Sequence, residues 1–192
     1  MRYRMLLLVC AAAVVPVAAR AQASRMERES LMVIPGLHVR VDGVTPEALQ
    51  DGLSPDSIRS DTEAALRSSG IPILTQPEWQ TTIGNPAIHV VFDLLKFSNR
   101  QYIYGVTLEV RQLTRLMRDS SKIVFTRTWA SDNLLGAVRT ANLPSLRNEV
   151  RPLVQQFVSD YLQAKGRARR ASTPGRPRTN GMSHFVPPAR RQ

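Results

Sequence analysis

Three stretches of period-two alternation, joined by short turns, constrain this chain more than any other feature. Ile88, Val90, Phe92 and Leu94 alternate with His89, Val91, Asp93 and Leu95. Tyr102, Tyr104, Val106, Leu108 and Val110 then face one way, while Thr107, Glu109 and Arg111 face the other. Ile123 to Trp129 makes a third run. Side chains of a strand point to opposite faces in turn, so each run reads as a strand with one packed face and one wetter face. Ser98-Asn99-Arg100 and Arg118-Asp119-Ser120-Ser121 supply turn residues between them. Sequential strands with connections this short pair antiparallel, because a parallel return needs a long crossover.

The flanking segments complete the expected fold. Leu37, Val39 and Val41 alternate with His38, Arg40 and Asp42, between the turn residues Pro35-Gly36 and Asp42-Gly43. Ser54-Pro55 reads as N-cap and first helical position, followed by Ile58, Asp61, Thr62, Ala65 and Leu66 on one face and Gly70 as a stop. A short apolar piece, Ile71 to Leu74, leads into the strand region. Near the end, Leu146, Val150, Leu153, Val154, Phe157, Tyr161 and Leu162 form an apolar helical stripe. Pro152 either kinks that helix or sets its regular start near Glu149. The expectation is an α+β fold in β-α-β-β-β-α order: an antiparallel sheet of about four to five strands, with two helices packed on one face, forming a single domain over residues 36–164.

Both chain ends differ from this middle. Residues 1–23 begin Met-Arg-Tyr-Arg, continue through the apolar run Met5 to Ala19, and end Ala19-Arg20-Ala21-Gln22-Ala23. That order is a cleavable export signal. The run is shorter than the roughly 20 apolar residues a membrane helix needs, so no span is expected after cleavage. Residues 24–35 read as a flexible lead-in. From 165 to 192 the chain is rich in Arg and Pro and lacks periodicity, the composition of a disordered basic tail. The net charge of +11 comes from these ends. Three basic residues lie in 1–23 and eight in 165–192, with no acid in either, which leaves fifteen of each sign between them. The folded part is therefore neutral, and nucleic acid is a poor fit as partner. Cys10, the only cysteine, lies inside the apolar run, so the exported chain has no thiol chemistry.

Candidate sites are few. Tyr102, Tyr104, Phe125 and Trp129 are the aromatic cluster; Tyr102 and Tyr104 share a strand face and, with Trp129, are suited to a small ligand or carbohydrate, or simply to core packing. His38 and His89 lie among outward strand positions, and with Asp93 or Asp42 as a third ligand they are the weak candidates for a metal site. Asp93, Glu109 and Asp132 are the acids that a hydrolytic carboxylate pair would draw on. The chain has no Gly-x-Ser-x-Gly elbow and no Gly-rich phosphate loop, and nothing calls for a cofactor. In the tail, Arg167, Arg169, Arg170, Arg176, Arg178, Arg190 and Arg191 form a polyelectrolyte arm suited to anionic cell-surface polymers or lipid headgroups.

Gly52-Leu53, the stretch Glu63 to Arg67 leading to Gly70-Ile71-Pro72, Thr128-Trp129, and Val154 to Leu162 with Phe157 and Tyr161 resemble a family of short secreted bacterial α+β proteins with no assigned activity. The element order is also similar to that of periplasmic accessory domains in envelope-assembly and secretion systems. The lack of catalytic motifs, the export signal and the neutral, compact middle point to a periplasmic or secreted, non-enzymatic envelope protein that acts as an adaptor or accessory domain for an envelope protein partner. The alternatives are a ligand-binding module built on the sheet aromatics, and a secreted hydrolase or metalloprotein.

Overall fold

The protein is described by a computed structural model over residues 25–98 and 100–172. Among the described residues it is α+β, with five strands in one sheet, within the four to five expected, and five helices where the sequence suggested two, because three of them are too short to show an apolar period. The elements run α1 (residues 25–30), β1 (His38–Asp42), α2 (Pro46–Gln50), α3 (Pro55–Ser68), α4 (Gln76–Thr81), β2 (Ala87–Ser98), β3 (Gln101–Leu116), β4 (Asp119–Ala130), β5 (Leu134–Arg139), a 3₁₀ segment (Thr140–Glu149) and α5 (Val150–Ser172).

The sheet is mostly antiparallel. β3 pairs with β2 along one side, Val90 opposite Leu108 and Leu94 opposite Tyr104. Its other side is divided: β5 takes Gln101 to Val106 and β4 takes Glu109 to Leu116. Ser131 bridges the break, its N–H donating to Leu108 O at 2.8 Å and its Oγ accepting from Leu108 N at 2.9 Å. The exception to antiparallel pairing is β1, which lies parallel to β2. The chain between them carries α2, α3 and α4, long enough for the crossover that a parallel pair requires.

Local chemistry sets the helix starts. Thr45, Ser54 and Thr75 are N-caps, each followed by proline in the first turn, and Thr75 with Glu78 forms a complete capping box. The Thr75 N–H and hydroxyl hydrogen-bond to Glu78, which lowers the pKa of that carboxyl. Pro152 falls in the first turn of α5, where it removes no helical hydrogen bond, so the regular helix starts at Val150. Gly43, at φ +82°, has a conformation that favours glycine, and a Cβ there would run into the Phe92 carbonyl.

The core lies between α3, α5 and the even-numbered face of β2 and β3. Ile88, Val90, Phe92, Val106, Leu108 and Val110 meet Ile58, Leu66, Leu153 and Phe157 there. Trp129 stands edge-on to Phe157 with ring centres 5.1 Å apart, and donates Nε1–H to Asp160 at 3.0 Å. Leu162, expected on the apolar stripe of α5, is half exposed, and the stripe continues instead to Ala164.

Three features depart from expectation. Where the sequence suggested a flexible lead-in, residues 25–30 are helical, and Leu31 and Ile34 are fully buried. The Tyr161 hydroxyl and the Lys165 ammonium both donate to Ile34 O, which ties this segment to α5. Second, β5 is an additional strand whose alternation is masked by Gly136. A Cβ at that position would sit 2.6 Å from the Tyr104 hydroxyl. Third, α5 continues past residue 164 to Ser172, so Arg167 and Arg170 belong to a helix. The proposed signal segment and Arg176, Arg178, Arg190 and Arg191 lie outside the described residues. Among the described residues, no helix is long and apolar enough to cross a membrane.

Candidate functional site

Helices cover one face of the sheet, and the odd-numbered face of β2 and β3 is left largely uncovered. Its centre is polar. His89 is only 4% exposed, and its Nδ1 lies 2.5 Å from Asp42 Oδ2 on the neighbouring β1. A carboxylate accepts, so Nδ1 carries the proton and Nε2 presents a lone pair. That Nε2 is buried and has no hydrogen-bond partner among the described residues. Burial lowers the His89 pKa, and the hydrogen bond and charge of Asp42 offset part of that effect.

Directly opposite His89 on β3 stands Glu109. Arg111 donates to its Oε2 at 2.8 and 2.9 Å, and Arg127 from β4 donates to its Oε1 at 3.0 Å. Both carboxylate oxygens are thus committed, so Glu109 is a brace between strands and not a free acid. Phe125 leans over from β4 to within 6.1 Å of the His89 ring. The Asp42–His89 pair has the hydrogen bond of a catalytic dyad, but among the described residues no hydroxyl or thiol meets Nε2 as a nucleophile would.

Two apolar clusters flank this centre at opposite ends of the face. At the β2–β3 turn, Leu95 stands opposite Ile103, with Phe97 and Leu135 beside them, and all four are exposed. At the β3–β4 turn, Leu113 stands opposite Phe125, with Ile123 next along β4, and these too are exposed. Of these positions the sequence pointed only to Phe125, as a member of the aromatic cluster with Tyr102, Tyr104 and Trp129. Leu95 and Ile103 break the apolar-in, polar-out pattern without forming a motif.

Tyr102 and Tyr104 share one face, as alternation predicts, but it is the face under the helices. Tyr102 is buried, and its hydroxyl donates to Asp51 at 2.6 Å. The Lys96 ammonium meets the same carboxylate oxygen at 2.7 Å. Hydrogen bonds from Lys96 and Tyr102 lower the Asp51 pKa, and the same ion pair raises that of Lys96. Burial raises the Tyr102 pKa. Trp129 pairs with Val110, six residues along β3 from Tyr104 and so roughly 20 Å away. The structure therefore does not bring the three rings together into one groove.

His38 and His89 lie on adjacent strands and the same face. His38 Nδ1 is 3.0 Å from Leu74 O, and its ring stacks against Trp79 at 5.5 Å. Asp93 lies four residues from His89 on the same strand, roughly 13 Å away, and is exposed. Among the described residues, no three His, Cys, Asp or Glu side chains are grouped to hold a metal ion.

A second concavity lies on the helical side. Between α3 and α5 runs a groove of about 910 Å³ with Ala65, Val154 and Val158 among its lining. The ion pair of Asp61 with Arg147, at 2.6 Å, forms part of its border.

No known family model matches the chain, and no curated protein matches it. Among solved structures, rare lipoprotein B from Shewanella oneidensis aligns at 12% identity over 70% of this chain and 97% of that one, with a TM-score of 0.23. At that score the likeness carries no weight for fold or function.

Proposed function

We propose that this chain is an exported envelope accessory protein whose folded domain works by binding a protein partner, without catalysis. The observation that carries this reading is the exposed cluster of Leu95, Phe97, Ile103 and Leu135 on the uncovered sheet face. Large apolar side chains grouped in water mark contact surfaces, since leaving them exposed has no folding benefit. The adjoining polar centre is internally satisfied apart from His89 Nε2, which suits a contact surface better than a reactive site. The basic extension, with Arg167, Arg169, Arg170, Arg176, Arg178, Arg190 and Arg191, adds attraction to anionic polymers or headgroups.

The test is crosslinking and co-purification of the tagged protein from its own cell envelope, comparing wild type with a Phe97→Asp, Leu135→Asp variant. The reading predicts one recovered protein partner that the double variant loses while its thermal melt is unchanged. Retention of that partner by the variant, or a turnover abolished by His89→Asn, would defeat it.

A further inference from the structure

The tip of the β3–β4 hairpin stands beyond the rest of the sheet. β2 ends its pairing at Ala87 opposite Arg111, and only Gly84 O reaches further, accepting from Leu113 N at 2.7 Å. That bond fixes the polarity of the whole hairpin. Leu113 directs its N–H toward the β2 side, so Leu113 and Phe125 form a non-hydrogen-bonded pair between β3 and β4. The backbone N–H and C=O of Phe125 then point away from the sheet. By the period of two, so do those of Ile123 and Arg127, whereas the Ser121 N–H is taken by Asp119 Oδ1 at 3.1 Å. Among the described residues, no strand pairs with β4 on that outer side. The free stretch ends at Thr128, whose carbonyl accepts from the Ser30 hydroxyl of α1 at 3.2 Å.

An open edge of this kind is a template for another strand. Its side chains select the occupant. Read against itself in antiparallel sense about Val124, the segment Ser121 to Arg127 places Ile123 opposite Phe125, Lys122 opposite Thr126, and Ser121 opposite Arg127. Every large apolar residue meets a large apolar residue, and no like charges stand opposite each other. Sliding by two residues in either direction breaks this, setting Phe125 against Ser121 or Ile123 against Arg127. Arg127 is in any case occupied by Glu109. Ile123 is 55% exposed and Phe125 45%, so both have surface to lose in such a pairing.

We propose that a second copy of this chain occupies the β4 edge, giving a two-fold dimer whose strands pair antiparallel about Val124. Roughly six ladder hydrogen bonds satisfy the outward backbone groups of Ile123, Phe125 and Arg127 in both copies. The Leu113–Phe125 stripe continues into Ile123 of the second copy, so the two uncovered faces join into one. The partner cluster at Leu95 and Phe97 lies at the far end of the face and stays free, so this dimer and the proposed function stand or fall separately.

Sedimentation of the purified full chain across micromolar concentrations provides the first readout. The proposal predicts a monomer–dimer equilibrium that Ile123→Pro weakens by about tenfold or more. That change removes one outward N–H and leaves the β3–β4 ladder intact. Ile123→Lys preserves the backbone and opposes the apolar pairing, so it serves if the proline variant fails to fold. Register is read by cysteine crosslinking in a Cys10→Ser background. Val124→Cys, at a non-hydrogen-bonded position on the two-fold, should crosslink to itself, and Thr126→Cys should not. A chain that stays monomeric overturns the proposal, as does a dimer indifferent to both Ile123 variants, or crosslinking through Thr126→Cys alone. Binding of anionic phosphatidylglycerol vesicles by a monomer, lost with Ile123→Lys, would reassign the hairpin to a membrane surface and overturn it equally.

Discussion

The two faces of β3 share one backbone but are built to different rules. Its even positions, Tyr102, Val106, Leu108 and Val110, are sealed beneath helices. Its odd positions run from exposed Ile103 through the braced Glu109 to exposed Leu113. The covered face is continuous hydrocarbon with its few polar tips paired, as in Tyr102 with Asp51 and Trp129 with Asp160. The uncovered face alternates apolar clusters with a charged centre. The first pattern holds the fold together, and the second leaves contact surface available once folding is complete.

The largest effects should fall on the covered face. Trp129→Ala removes a fully buried ring and its hydrogen bond to Asp160, and should cost about 3–5 kcal/mol in denaturant unfolding. Ile34→Ala tests whether the segment before β1 belongs to the same core. The expected loss is about 2–4 kcal/mol, and a loss near zero would return that segment to a lead-in role. On the uncovered face, Glu109→Gln leaves two arginines without their carboxylate. Because both arginines are partly exposed, the expected cost is only about 1–2 kcal/mol by thermal melt. Leu135→Ser, at a position 76% exposed, should change stability by about 0.5 kcal/mol or less. Equal losses for Trp129→Ala and Leu135→Ser would erase the distinction between the faces.

The pH dependence sharpens the comparison at His89. Burial lowers its folded pKa, so the unfolded chain binds more protons through this site as pH falls below the ordinary value of about 6.5. Its neutral form stabilises the fold fully above that value, and the contribution is lost as pH falls toward the depressed folded pKa. The melting temperature should therefore drop on acidification from pH 7.5 to 5.5, and His89→Asn should flatten that drop. An unchanged slope in the variant would remove His89 as its cause.

Much of the covered face was legible in the sequence, because hydrophobic periodicity reports burial directly. The three long strands, the Ser54-Pro55 helix start and the burial of Leu146, Val150, Leu153, Phe157 and Tyr161 all follow from it. The parallel placement of β1 was not legible, since a strand's own pattern says nothing about which neighbour it joins. β5 was hidden by Gly136, where packing against Tyr104 excludes a side chain and so removes the apolar signal. Leu31 and Ile34 were missed because the apolar run Leu31-Met32-Val33-Ile34 is too short to show a period, and the tertiary bonds from Tyr161 and Lys165 are what tie it to α5. The uncovered face was least readable. Glu109, Arg111 and Arg127 come together through strand register, and the exposed apolar positions matter only once it is known that no helix among the described residues covers them.

Site-specific photocrosslinking in the living envelope addresses the central claim most directly. A photoreactive residue would be placed at Phe97 or Leu135 on the uncovered face, and at Arg59 on the outer surface of α3. The account predicts a discrete protein adduct from Phe97 and Leu135 and none from Arg59. Adducts from Arg59 alone, or equally from all three, would contradict it and move the contact surface to the helices.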